Sequence, residues 1–320
     1  MRRPQVAGPP VPDARATGQA GPVLLAALDD VARLVLPVAC PGCDAPDVRW
    51  CEPCLAPLRA PLRRRERGAP RLDRLDGVAP LPVWAPAAYT GPVRGVVVAW
   101  KDRGRADLDR PLADAAWRAG TALGPVLGAV LGPGRGPALG SGVGAVLGEG
   151  RRGCPVLVVP APTTRAARRA RGRDPVALLA RAVAAGLDAS GTPARSAALL
   201  VHRGRARDQV GLGSRARGAR LGTVAVAPGK LLGAGAGGLV RPLVGPSAGA
   251  RRGPPGRRPS TGAPAPVVAC LLVDDVVTTG ATLAACERAL TSAGALVLGA
   301  VALAATPSPG ERRRSAGQPP

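Results

Sequence analysis

The run Val267-Val-Ala-Cys-Leu-Leu-Val273, followed directly by Asp274-Asp275-Val276-Val277-Thr278-Thr279-Gly280-Ala281-Thr282, decides how this chain is read. A continuous apolar run of that length suits a strand buried on both faces, as strands of a parallel sheet are. The acids and threonines after it then form a loop leading into a helix, at the carboxyl end of a strand, where open parallel sheets bind ligands. The carboxylates can accept both hydroxyl protons of a ribose diol. Small hydroxyl residues and a glycine at a helix N-terminus offer side-chain and backbone donors to a phosphate. Together they suit a ribose 5-phosphate. The plainer alternative is two acids opening a turn and a threonine capping a helix. The Gly-Lys-Ser/Thr of a Walker loop is absent, and no G-x-G-x-x-G follows a strand.

Working outward, further strand signals stand at Val156–Val159, Ala197–Val201, Val224–Ala227 and Leu296–Leu303. Helical patterns at Pro175–Leu187 and Ala281–Ala293 alternate with them. Short apolar strands alternating with helices predict an α/β domain with a mostly parallel sheet. Val93, Val96, Val97 and Trp100 fit a short helix ending near Lys101, and Leu108, Leu112 and Ala116 fit a second. Leu24, Leu28, Val31 and Val35 predict an earlier helix over Val23–Leu36, stopped by Pro37. Arg59–Arg74 reads as a solvated connection. Gly- and Ala-rich 123–150 and Gly/Pro/Arg-rich 228–266 lack periodicity and are expected to be mobile insertions.

Four apolar residues, two acids, two spacers and Thr-Thr-Gly-Ala-Thr closely resemble the phosphoribosyl pyrophosphate motif of type I phosphoribosyltransferases. The resemblance implies that Asp274 and Asp275 bind the ribose hydroxyls. It implies that Thr278, Thr279, Gly280, Ala281 and Thr282 cradle the 5-phosphate. In the same fold the loop ending the Val156–Val159 strand binds pyrophosphate, which makes Pro162, Thr163, Thr164 and Arg165 the pyrophosphate candidates, with Arg168 and Arg169 as further donors. Tyr89-Thr-Gly91 through Lys101-Asp-Arg-Gly104, Arg171-Gly-Arg-Asp-Pro175, and Arg203–Arg207 followed by Gln209-Val-Gly-Leu212 resemble blocks of the ComF-type, competence-associated proteins. That family usually shows Arg-Gly-Phe-Asn-Gln, where this chain has Arg173, Asp174 and Pro175 in the last three places.

Cys40-Pro-Gly-Cys43, seven residues, then Cys51-Glu-Pro-Cys54 makes two C-x-x-C knuckles able to present four thiolates to one tetrahedral zinc. A pair of disulfides is the alternative, disfavoured without an export signal. A closed four-thiolate site is structural, and its place ahead of the α/β domain matches the zinc-ribbon module of ComF-type proteins. Cys154, Cys270 and Cys286 are expected to be buried small hydrophobes. His202, the only histidine, reads as a loop or strand-end residue, so Ser/His/Asp chemistry has no support.

The expected organisation is therefore a disordered tail over 1–21, a helix plus zinc-ribbon module over 22–60, a phosphoribosyltransferase-like domain over 80–306 carrying the two insertions, and a disordered tail over 307–320. The resemblance implies binding of Mg-phosphoribosyl pyrophosphate, and transfer of the phosphoribosyl group with pyrophosphate release if the protein is active. It leaves open a non-catalytic ligand-binding or DNA-binding module acting in DNA uptake. No catalytic residue, general base or acceptor is assigned.

Charge agrees with anionic partners. Lys+Arg 44 against Asp+Glu 21 gives +23, nearly all of it arginine, since Lys101 and Lys230 are the only lysines. Part of this reflects a Gly-, Pro- and Ala-rich composition. The resemblance implies phosphoribosyl pyrophosphate or a related nucleotide as partner, and single-stranded DNA or DNA-uptake proteins on the DNA-uptake alternative; the charge permits such anionic partners. With no Phe, one Tyr and four Trp, a stacking platform for bases is poorly supplied. Residues 1–20 lack the apolar run of an export signal, and Gly and Pro interrupt 289–310, so a cytoplasmic protein without a membrane span is expected.

Overall fold

Two long strands carry the domain: β8 (Ala269–Val277) and β9 (Leu296–Ala305), paired in parallel at the middle of a seven-stranded sheet. The structure, a computed structural model, describes residues 38–74, 77–131, 155–202, 224–227 and 268–311. The expected helix over 23–36, the 228–266 insertion, the blocks at 203–207 and 209–212 and Cys154 lie outside these residues. So do 1–21 and 312–320.

β4 (Val156–Pro160) lies beside β8, and β5 (Ala194–Ser196) lies outside β4, both parallel. On the other flank β2 (Val83–Ala85) and β3 (Ala87–Ala88) both run parallel to β9, separated by Pro86. Only β1 (Arg63–Arg64), on β2, is antiparallel within this sheet. β6 (Leu200–His202) and β7 (Val224–Val226) form a separate antiparallel ribbon. The expected mixed α/β architecture with a mostly parallel sheet is observed.

The helices are α1 (Glu52–Leu55), α2 (Gly91–Asp102), α3 (Asp109–Leu131), α4 (Arg165–Arg171), α5 (Pro175–Ala189) and α6 (Ala281–Ser292). α3 packs on α5, which lies on β4 and β8, while α6 packs on β8 and β9. Leu112, Leu123, Leu127, Leu179 and Leu187 fill the α3–α5 layer. The apolar run of β8 reads correctly: Cys270, Leu271, Leu272 and Val273 are all buried.

Four sequence expectations need correction. The strand does not stop before the acids; β9 continues the ladder opposite Asp274, Val276 and Val277, so both acids lie within β8 and the turn begins at Thr278. Of the expected strand at 197–201 only Leu200 and Val201 are strand, in β6; Ala197–Leu199 form the tight turn that leads there from β5, with Leu199 N–H donating to Ala197 O at 2.9 Å. The first nine residues of the expected 123–150 insertion are the last turns of α3. Glycines let the two helices approach: a Cβ at Gly124 would overlap Ser190 Oγ at the end of α5, one at Gly120, just before this stretch, would overlap the Val183 carbonyl oxygen, and one at Gly186 of α5 would overlap that of Trp117. Finally, 59–74 is more than a solvated connection. Ala69 and Leu72 are buried there, and Arg65, largely buried, pairs with Glu311, which ties down the start of the expected C-terminal tail.

The close α3–α5 approach predicts that Gly120→Val destabilises the protein by about 1–3 kcal/mol through overpacking. Gly128→Ala, where the nearest atom to the new Cβ is 3.7 Å away, is expected to be neutral or to stabilise by up to about 1 kcal/mol. Denaturant melts of the two variants check the contrast.

Candidate ligand cleft and metal centre

After β4 the chain leads through α4 and α5 to β5, away from β8. After β8 it leads through α6 to β9, on the opposite side. The strand order therefore reverses between β4 and β8, and such a switch point opens a crevice at the carboxyl ends. A cleft of about 510 Å³ stands there. Pro162, Thr163 and Thr164 line one wall, and Asp274, Asp275, Thr278 and Thr282 line the other.

The remaining candidates shape the turns behind these walls. Thr164 caps α4, its Oγ1 accepting from Ala167 N–H at 3.2 Å, and Arg165 is the first residue of that helix. Thr279 O accepts from Arg71 N–H at 2.8 Å, and its Oγ1 accepts from Ala281 N–H at 3.4 Å. Gly280 has φ 79°, and a Cβ there would sit 2.6 Å from Leu72 Cγ, so both conformation and packing exclude a side chain. Arg168 is engaged with Asp174 at 3.2 Å, and Arg169 is exposed.

Asp275 is 1% exposed, and Lys101 Nζ lies 2.6 Å from its Oδ2. Its Oδ1 accepts from Val276 N–H at 2.8 Å, while Asp274 Oδ1 accepts from Asp275 N–H at 2.9 Å. Burial, and then the adjacent Asp275 carboxylate, push the Asp274 carboxyl up to about 8 against the pull of Lys101. For Lys101 burial works to lower the pKa, and the carboxylates of Asp275 and Asp274 overcome it, leaving the ammonium more firmly protonated than usual.

Lys101 is held from both sides. Arg173 donates to the carbonyl of fully buried Trp100 and to Asp109, and stacks over the Trp100 ring at 5.7 Å. Trp100 Nε1 donates to the same Asp109 carboxylate at 2.6 Å. On the other side Arg171 pairs with Asp102 at 3.2 Å. Arg173, Asp174 and Pro175 thus have structural work here: Arg173 clamps α2 to α3, Asp174 Oδ1 caps α5 by accepting from Ala177 N–H at 3.2 Å, and Pro175 starts that helix.

Sequence reasoning assigned no site role to Tyr89, Lys101, Asp102, Arg171 or His202, yet all five line the cleft. His202 does end a strand, as expected. Lys101 carried a usable signal, being one of two lysines in an arginine-dominated chain.

Cys40, Cys43, Cys51 and Cys54 converge, their Sγ atoms all within 4.8 Å of one another. Cys51 Sγ lies 3.6 Å from both Cys40 and Cys43. A tetrahedral ion with metal–sulfur bonds of about 2.3 Å needs sulfur pairs roughly 3.8 Å apart, so the group fits a metal ion and agrees with structural zinc. The fold closes the knuckles tightly: a Cβ on Gly42 would be 2.7 Å from Cys54 Sγ. Burial opposes ionisation of Cys40, but N–H groups of Gly42, Cys43 and Cys51 outweigh it and bring its thiol down to about 6. The centre is joined to the domain, with Cys54 and Leu55 buried in the core and Gly95 of α2 packed against the Pro41 carbonyl. Cys270 and Cys286 are buried, as expected, and burial pushes each thiol up to about 12.

No family model and no curated protein matches the chain. Among the described residues no helix is long and apolar enough to cross a membrane.

Two outcomes are expected. A raised aspartate pKa means that the fold holds the proton more tightly than the unfolded chain, so Asp274 costs progressively more stability as pH rises from about 4 through 8. Asp274→Asn should therefore melt higher than the parent near pH 8, with the gain shrinking towards pH 4; a pH-independent difference would refute the assignment. Elemental analysis should give one zinc per chain, and Cys51→Ser should lose the metal and melt several degrees lower, because Cys54 and Leu55 belong to the core.

Proposed function

We propose that this chain is a ComF-like protein of type I phosphoribosyltransferase fold, with an N-terminal zinc ribbon, that binds Mg-phosphoribosyl pyrophosphate in the cleft between β4 and β8. The observation that carries the reading is the meeting of the acid pair, Thr278 and Thr282 with Pro162–Thr164 across one cleft at the switch point. Asp274 and Asp275 would accept from the ribose hydroxyls, the threonine turn would hold the 5-phosphate, and the Pro162–Thr164 wall with Arg165 would face the diphosphate. A magnesium ion carried by the ligand would offset charge on the departing diphosphate, with Asp274, Asp275 and the Pro162–Thr164 wall holding the ligand that brings it.

With an acceptor present, the bond from the anomeric carbon to the diphosphate oxygen breaks, the diphosphate leaves with the electron pair, and the acceptor nucleophile bonds to that carbon. The acceptor's proton passes to solvent or to a neighbouring base. Burial of Asp275 beside Lys101 keeps the diol-binding oxygen oriented without water competing for it.

Calorimetry with Mg-phosphoribosyl pyrophosphate is expected to show binding by the zinc-loaded protein and at least a 100-fold loss in the Asp274→Asn/Asp275→Asn variant, about 3 kcal/mol for one charge-assisted and one neutral contact. No binding by the folded parent overturns the proposal. Binding without pyrophosphate release over a panel of acceptors favours the non-catalytic module serving DNA uptake.

A further inference from the structure

We propose that Lys101 is a ligand-binding residue with two successive partners: it neutralises Asp275 until the ligand's diol takes over that carboxylate, and its ammonium then binds the ligand's diphosphate. The inference rests on the phosphoribosyl reading of the cleft and assigns a role that the reading itself does not supply.

The geometry makes the exchange necessary. Lys101 Nζ stands 2.6 Å from Asp275 Oδ2, an atom with no hydrogen bond from the rest of the protein. This oxygen is buried under the ammonium, so a ribose hydroxyl reaches it by displacing Lys101. The displaced ammonium, on a side chain about one-third exposed, then needs a new anion, since an uncompensated charge in a partly dry cleft is costly. Asp102, already shared with Arg171 and half exposed, offers it only a solvent-screened partner. A diphosphate entering between the two walls can compensate the ammonium.

A diphosphate carries more negative charge than Arg165, the one cation proposed for the opposite wall, can offset. Pro162, Thr163 and Thr164 offer hydroxyl and backbone groups but no formal charge. The nearby guanidiniums whose partners are described are occupied, Arg168 by Asp174, Arg171 by Asp102 and Arg173 by Asp109. Lys101 is therefore the described cation of the cleft whose present partner is the one the ligand takes over.

Its identity also fits. Nearly every basic position in this chain is arginine, yet this one is lysine. Arginine would grip the carboxylate through its rigid fork, whereas an ammonium on a flexible four-carbon stem can change partners while its backbone stays fixed. The backbone here is held by Arg173 on the Trp100 carbonyl, and Arg171 grips the side chain of the next residue, Asp102.

The test compares two probes by calorimetry on the full chain: Mg-phosphoribosyl pyrophosphate, and ribose 5-phosphate, which keeps the diol and 5-phosphate but lacks the diphosphate. Lys101→Met is expected to weaken phosphoribosyl pyrophosphate by about 10- to 100-fold, the worth of one charge-assisted contact. It should leave ribose 5-phosphate unchanged or bound more tightly, with no ammonium left to displace. Lys101→Arg, which keeps the charge and protects against a folding defect, is expected to weaken ribose 5-phosphate by locking onto Asp275. Equal losses for both probes in Lys101→Met would reduce Lys101 to a fixed counter-ion and overturn the proposal, as would no change in either. Failure of the parent protein to bind either probe would instead overturn the phosphoribosyl reading beneath it.

Discussion

A carboxylate buried in the central strand of a sheet must be compensated, and in this protein the compensation of Asp275 by Lys101 organises everything around it. β8 puts the acid at the carboxyl end of the sheet, and α2 has to deliver the ammonium to it. The end of α2 is fixed by Arg173, Trp100 and Asp109, which ties it to α3 and to the segment ahead of α5. The middle of α2 rests on the cysteine knuckle at Gly95. One ion pair thus gathers the metal centre, two helices and the strand ends into a single arrangement.

Much of this was legible in the sequence, for reasons that can be named. An uninterrupted apolar run marked β8, because a strand with no solvent face needs no alternation. The four cysteines converge as their spacing implies, since two short knuckles leave little freedom. The helices at Pro175 and Ala281 were visible from their apolar spacing, and Asp174 and Gly280 stand at their starts as a cap and a left-handed turn.

What escaped had equally specific causes. Asp274 and Asp275 look like loop residues because their side chains are polar, yet a strand needs only its backbone paired, and β9 supplies the pairing. The end of α3 looked like low complexity because close helix contact selects glycine, the residue that local propensity counts against a helix. Arg173 stood out only as a departure from the expected block until its partners, remote in sequence, gave it a role. His202 and Tyr89 show nothing by spacing, since only the folded chain brings them to the cleft.

The position of β9 has a consequence for how the chain comes to be folded at all. β9 is the last strand of those described to leave the ribosome, yet it lies between β8 and the early pair β2 and β3. Until it arrives, β2 and β3 have no parallel neighbour, and β8 is paired on one side only. The main sheet therefore cannot close progressively during synthesis. Its amino-terminal strands must wait through more than two hundred residues of translation with their ladder edges open, when such edges invite mispairing.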